Sequence, residues 1–355
     1  MKRIIINKKT ISEKSPTYFI ADIAANHDGS LKRALKLIRL CAKAGADAAK
    51  FQHFKAETIV SDFGFKQLGK LTHQSKWKKS VFETYKDASI NDSWTKKLKK
   101  ECKKCGISFM TAPYDLGYVD SVNKFIDAYK IGSGDINWVE IIEKIAKKNK
   151  PLIIASGAAT IKEVKQSIKT ACKFNKKIVL MQCNTNYTNS EENFNFINLK
   201  VLESYKKIFG NKVILGLSDH TAGHSTVLGS VALGARVIEK HFTDDNDRDG
   251  PDHKFSMNFK TWKEMILETR RLEKALGDGV KKIEKNELKS SKVQKRSFYA
   301  KIDIEKGKTI NRSMLIPLRP DLKNSFKADE INKILKKKTK KKISAGECIK
   351  KNYIL

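Results

Sequence analysis

Val213-Ile-Leu-Gly-Leu-Ser218-Asp219-His220 and, further on, Ala235-Arg-Val-Ile-Glu239-Lys240-His241 decide the fold. Each is a short apolar run that ends in residues able to bind or react. The same pattern recurs upstream. Tyr18-Phe-Ile-Ala-Asp22 leads to Asn26-His27-Asp28-Gly29, and Ala46-Asp-Ala-Ala to Lys50-Phe51-Gln52. Ile107-Ser-Phe-Met leads to Thr111, and Ala128-Tyr129 to Lys130-Ile131-Gly132-Ser133-Gly134-Asp135. Leu152-Ile-Ile-Ala reaches Ser156-Gly157, and Ile178-Val-Leu-Met reaches Gln182-Cys183-Asn184. That makes eight strands with helix-length segments between them. Loops after the strands form the catalytic face of a (β/α)8 barrel, so polar strand ends predict an α/β TIM-barrel enzyme.

The 355 residues allow one large domain and a smaller one. No apolar run approaches the ~20 residues of a membrane span. The start, Met1-Lys-Arg-Ile-Ile-Ile, is too short for a signal peptide, so a cytoplasmic location is expected. The net charge is +33, but only 10 of the 72 basic residues are arginine, the better phosphate and base reader. Lysines spread along the whole chain fit solvated helix faces better than a nucleic-acid surface. The run Lys336–Lys342 is the densest patch and a candidate for nonspecific polyanion contact. The six cysteines are scattered, and Cys102-x-x-Cys105 lies late in a helical stretch (91–105) with no second pair to complete a zinc site. Free thiols are expected.

Helix-period runs cover 30–43, 161–174 and 261–276, the first capped at Gly29-Ser30. The segment 53–91 is too long for an ordinary βα loop. It carries His53, His73, Trp77 and Tyr85, and reads either as a substrate lid or as a decorative insert. The expected division is a barrel over 1–280, a lysine-rich linker over 281–296 and a module of its own over 297–355. A domain so small is marginal alone.

Three groups of residues carry chemistry. His220 and His241 end strands seven and eight, where both imidazoles face one point; the pair suits Mn²⁺, Fe²⁺, Co²⁺ or Zn²⁺, while Mg²⁺ prefers more oxygen. Lys50, Lys130, Ser133, Ser156, Ser218 and the glycines around Ser133 supply ammoniums, hydroxyls and backbone N–H groups for a phosphate. A lysine there could instead form a Schiff base, but two lysines among hydroxyls favour an anion. Asp22, Asp135 and Asp252 supply carboxylates that orient water or a sugar hydroxyl, or shuttle a proton. His27, His224 and His253 read as hydrogen-bonding or rim residues.

With these residues the chain resembles the sialic acid synthase family of phosphoenolpyruvate-dependent nonulosonic acid synthases. The likeness rests on Ala25-Asn-His-Asp-Gly29, Lys50-Phe-Gln52, Tyr129-Lys-Ile-Gly-Ser-Gly-Asp135, Gly216-Leu-Ser-Asp-His-Thr221, Glu239-Lys-His-Phe-Thr243 and Gly250-Pro-Asp252. The tail is similar to the family's antifreeze-like SAF domain, a small, mostly β module, with Leu318-Arg319-Pro320 in place. The resemblance implies condensation of phosphoenolpyruvate, an N-acetylmannosamine-type sugar and water to a nine-carbon 2-keto acid for surface glycans. Legionaminic and pseudaminic acid synthases, which use modified trideoxyhexoses, share this core.

It also implies roles. Lys50, Lys130, Ser133, Ser156, Thr185 and Ser218 would hold phosphoenolpyruvate, with Asp22, Asp135, Lys50 and Lys130 catalytic. His220 and His241 would hold a divalent metal, Mn²⁺ first, with Mg²⁺ or Co²⁺ as substitutes. Tyr187 and Asp252 would touch the sugar, as would Arg319 from the partner subunit of a domain-swapped homodimer. The chain departs from the family pattern in having Asp22 where Glu is usual and Thr185 where Asn or Ser is usual. Two other readings compete: a synthase using an aldose phosphate, and a noncatalytic polyanion-binding barrel. The appended module speaks against the first, and the intact set of lysines, histidines and hydroxyls against the second.

Overall fold

The computed structural model describes residues 2–68, 74 and 77–355. An antiparallel hairpin of β1 (Arg3–Ile6) and β2 (Lys9–Ser12) comes first. Eight parallel strands follow: β3 (Tyr18–Asp22), β4 (Ala48–His53), β5 (Ser108–Pro113), β6 (Ala128–Ile131), β7 (Leu152–Ala155), β8 (Ile178–Cys183), β9 (Ile214–Asp219) and β10 (Val237–His241). They pair in chain order, and β10 pairs with β3 to close the barrel. The eight expected strands are all present.

Side chains alternate across each strand, and the two sets form separate cores. Ile20, Ala48, Met110, Ile153 and Val179 cluster inside the barrel. Ile4, Ile6 and Ile11 of the hairpin join them, plugging the end where the strands begin. Phe19, Phe51, Phe109, Leu217 and Ile238 face outward into the helix layer. This leaves the other end of the barrel to polar side chains.

Helices cover that outer face. Leu31–Lys43 starts at Ser30, whose side chain accepts from the Arg33 N–H, and Ile161–Phe174 starts at a reciprocal Thr160–Glu163 cap. Such caps contribute about 1 kcal/mol each. The helix expected over 261–276 runs instead from Phe259 to Ala275, because Asn258 accepts from the Lys260 and Thr261 N–H groups and starts it earlier. Strand β4 runs on past Ala49, so Lys50 and Gln52 lie within it. His53 is its buried last residue, bonded to Thr111 and Thr95, and not part of a lid. The segment beyond is no plain loop: it holds helices Ala56–Ile59, Asp62–Leu68 and Val81–Ala88. His73 lies outside the described residues. All six cysteines are free.

The chain divides into compact units Met1–Gly277 and Asp278–Leu355. The second opens with helix Leu288–Gln294, where a plain connector was expected. It then pairs β11 (Ser297–Ala300) antiparallel with β12 (Leu315–Leu318) around Phe298, Ile304, Ile310, Phe326, Ile343 and Ile349. No helix among the described residues is long and apolar enough to cross a membrane.

Candidate active site

Strand register builds the site. Asp22 sits beside Lys50 on β4 and His241 on β10, while Ser218 sits beside Glu239 and Cys183. Lys50 Nζ is 2.6 Å from Asp22 Oδ2 and 3.6 Å from Glu239 Oε1. Lys130 Nζ donates to the same Glu239 oxygen at 2.7 Å, and Ser218 Oγ at 3.4 Å. All five residues are buried. Two ammoniums thus face two carboxylates in a low dielectric, where losing one partner costs far more than the pair contributes. Burial would raise Glu239, but Lys130 and Lys50 bring it down to about 2. Burial raises Asp22, with Glu239 adding to the effect and Lys50 opposing it, so Asp22 is the carboxyl readier to take a proton.

Glu239 is the member of this cluster that its motif alone does not mark. The signal for it was parity: two residues before His241 on a strand, it must face the same way.

A second cluster adjoins the first through Cys183, whose thiol meets the Ser133 and Ser218 hydroxyls. The Gly157 N–H donates to Ser133 Oγ at 3.0 Å. A Cβ on Gly157 would fall 2.6 Å from Thr185 Cγ2 and 2.8 Å from Ser133 Oγ, so only glycine lets these residues close around its backbone. Ser156, buried just past the end of β7, is held by two hydrogen bonds. Its hydroxyl is committed to the Met181 carbonyl and the Tyr205 hydroxyl.

His220 and His241 stand with ring centroids 5.3 Å apart, and burial holds both imidazoles neutral, at about 3 and about 4. His220 Nδ1 bonds the Asn184 carbonyl at 2.8 Å, which fixes that proton and leaves Nε2 as a lone pair. His241 Nε2 is 3.5 Å from Asp22, and its Nδ1 is buried with no hydrogen-bond partner among the described residues. Neutral imidazoles with an orphaned ring nitrogen fit a divalent cation. No group of three His, Cys, Asp or Glu among the described residues could hold one, so water and substrate oxygens would complete the shell. The Tyr187 ring packs tilted against His220 with centroids 4.3 Å apart, and Phe255 packs edge-on against His241 at 4.8 Å. Phe255 is a wall that sequence reasoning did not single out.

Asp252 accepts from the Ala25 N–H at 3.0 Å. Asp135, in the turn after β6, is lifted by burial to about 6. Asp135 and Asp252 both act on Tyr85, whose hydroxyl burial pushes up to about 12. Tyr114, just beyond β5, feels Asp135 and Asp22, and its hydroxyl would be 2.8 Å from a Cβ on Gly132. Tyr85 brings the 53–91 segment to the site, whereas Tyr114 was not foreseen. Arg319 belongs to the second unit, where its Nε donates to the Gln294 carbonyl at 2.7 Å. The other expected site residues are all in the first.

Behind the histidines, the opposite faces of β9 and β10 carry a fully buried ion pair, Lys240 with Asp219. Asp219 also accepts from Thr221 and Thr226, and Lys240 donates to the Thr221 carbonyl at 2.7 Å. The pair ties together the two strands that bear the histidines.

The NeuB family model matches residues 37–281 and the SAF domain model residues 295–354. The chain is similar to the N,N'-diacetyllegionaminic acid synthase of Campylobacter jejuni, at 38% identity over 86% of this chain and 90% of that one. It is also similar to a pseudaminic acid synthase of the same species, at 33% identity over 94% and 95%. Among solved structures, the N-acetylneuraminic acid synthetase of Leptospira borgpetersenii, in complex with citrate, superposes with a TM-score of 0.70 at 26% identity, covering 81% of this chain and 95% of that one. The chain belongs to the NeuB family.

Proposed function

We propose that this NeuB-family chain condenses phosphoenolpyruvate with the open-chain aldehyde of an N-acylated hexosamine and water, giving a nine-carbon 2-keto acid and phosphate. The observation that carries this is the buried Asp22–Lys50–Glu239–Lys130 quartet, placed between a hydroxyl-lined cradle and two neutral histidines. C3 of phosphoenolpyruvate bonds to the aldehyde carbon, and the aldehyde oxygen takes up a proton to become a hydroxyl. Water adds its oxygen to C2 and gives up one proton; phosphate then leaves by C–O cleavage as the new C2 hydroxyl becomes the keto oxygen, its second proton going to phosphate.

Lys50 and Lys130 hold the anionic substrate, with Ser133, Thr185, Ser218 and the backbone at Gly157 on its phosphate and Ser156 supporting that wall. Glu239 faces both ammoniums and aims them. Asp135, lifted to about 6, would take the proton that the attacking water gives up, and Asp22 is a second such group. A divalent cation on His220 and His241, Mn²⁺ by preference, would supply Lewis-acid polarisation of the aldehyde. Tyr187 and Asp252 contact the sugar, and Arg319 reaches it across a homodimer.

Among acceptors, a 2,4-diacetamido-trideoxyhexose is favoured over N-acetylmannosamine by the 38% identity to the legionaminic acid synthase. The test is phosphate release from phosphoenolpyruvate with Mn²⁺ across N-acetylmannosamine, the diacetamido-trideoxy-mannose and -altrose, and arabinose 5-phosphate, with and without chelator. Chelator-sensitive release with an N-acylated hexosamine is expected. Release with none of them, or with the aldose phosphate alone, refutes the proposal.

A further inference from the structure

A cavity of about 940 Å³ opens at the end of the barrel opposite the catalytic rim. Its walls are the start of the hairpin at Lys2 and Arg3, the residues just before β8 and β9, one face of helix Ile161–Phe174 from Lys165 onward, and the end of helix Val201–Phe209. Besides Arg3, six lysines line it: Lys2, Lys165, Lys169, Lys173, Lys176 and Lys212. No Asp or Glu does, and none of the seven cations forms an ion pair among the described residues. The floor is apolar, with Ile168 and Phe209 both buried.

A lysine-rich chain has many solvated lysines, and several of the helical ones here are paired within their own helix. Lys66 pairs with Asp62, Lys147 with Glu143 and Lys333 with Glu330, each three or four residues away. On helix Ile161–Phe174 the lysines at 165, 169 and 173 instead follow one another at four-residue spacing. Like charges so placed oppose helix formation. Lys2 is brought in among them, its ammonium bonded to the Lys212 carbonyl, and burial lowers its pKa. The positive charge, offset at Lys173 by Glu143, converges on a concave surface, and a bound anion would relieve it.

The volume falls within the ~300–1,000 Å³ of small-molecule sites. A duplex would need a longer stripe and more of the arginine that reads phosphates. A cationic rim over an apolar floor calls for a small molecule with clustered negative charge and a flat apolar group. We infer that this cavity binds a nucleoside polyphosphate, with its phosphates on the lysines and its base on Phe209 and Ile168.

Calorimetric titration of the full chain with ATP tests this, at physiological salt, with EDTA present and phosphoenolpyruvate saturating so that the catalytic cradle is occupied. The variant K169E/K212E should bind ATP at least tenfold more weakly than the parent. The control K97E/K100E makes the same charge change on the exposed face of another helix and should stay within twofold. ATP should bind several-fold tighter than tripolyphosphate. If the charge-reversed variant does not fold, K165A/K169A takes its place. Equal weakening in variant and control would assign binding to net charge and overturn the site. Tripolyphosphate binding as tightly as ATP would overturn the nucleoside. Absence of ATP binding at millimolar concentration, or tighter binding of duplex DNA lost in the same variant, would overturn the inference as a whole.

Discussion

Replacing Asp135 by Asn should stabilise the protein at neutral pH while removing most of its turnover. Burial lifts this carboxyl from 3.8 to about 6. A group whose folded pKa exceeds its unfolded value binds protons more tightly in the native state. Its favourable contribution is complete below pH 3.8 and is lost as pH rises through 6. Above that the ionised native group carries a constant penalty, about 3 kcal/mol for the difference between 3.8 and about 6. Asparagine has nearly the same shape and no charge, so the variant escapes that penalty. By the same linkage the advantage shrinks to about 1.6 kcal/mol at pH 5.

Thermal unfolding of parent and variant at several values from pH 5 to 8, with chelator and without substrate, measures the effect. The variant should melt several degrees higher at pH 8, with a smaller gap at pH 5. Turnover should fall by about 10²–10⁴-fold, the usual worth of a positioned acid or base. A gap that does not vary with pH, or a variant less stable than the parent, would refute the assignment of strain to a buried charge. A more stable variant with normal turnover would leave the buried carboxyl real and its catalytic role wrong.

Three further outcomes are expected. His241→Ala should abolish chelator-sensitive phosphate release and Mn²⁺ binding by calorimetry while leaving the circular dichroism unchanged; near-normal turnover would remove the histidine pair from the metal assignment. Arg319→Ala should raise KM for the sugar at least tenfold more than KM for phosphoenolpyruvate, and an equal rise in both would take it off the sugar. Lys240→Met should cost about 3–5 kcal/mol in urea unfolding by stranding Asp219. The double variant Lys240→Met with Asp219→Asn should recover much of that loss, and no recovery would mean that Lys240 contributes through packing alone.

The barrel was legible because buried parallel strands must read as apolar runs, and their polar ends have only the rim to occupy. Lys50, Lys130, Ser218, His220 and His241 were found by that rule. Strand ends were less well placed, since Lys50, Gln52 and His53 were read as following a strand that in fact contains them. Local sequence does not mark where a barrel strand stops, because register with its neighbours on both sides decides that. The β1–β2 plug is likewise not legible, since two four-residue strands do not say in sequence where their apolar residues pack. Tyr114 and Phe255 gave no sequence signal, as aromatic residues in loops pack in many ways and only the closed barrel brings these two to the rim.

Parity explains both what was found and what was missed on the last two strands. In Glu239-Lys240-His241 and Ser218-Asp219-His220, every second residue faces the same side. The inner set, Glu239, His241, Ser218 and His220, carries chemistry, while the outer pair, Lys240 with Asp219, holds two strands together. Read as one polar cluster, the six residues look like a single site with surplus charge. Divided by alternation, they become a reactive face and a buried structural ion pair back to back, which gives Glu239 a role and takes Lys240 out of the chemistry. The same division predicts the two failures apart: loss of Glu239 should change substrate handling, and loss of Lys240 should change stability.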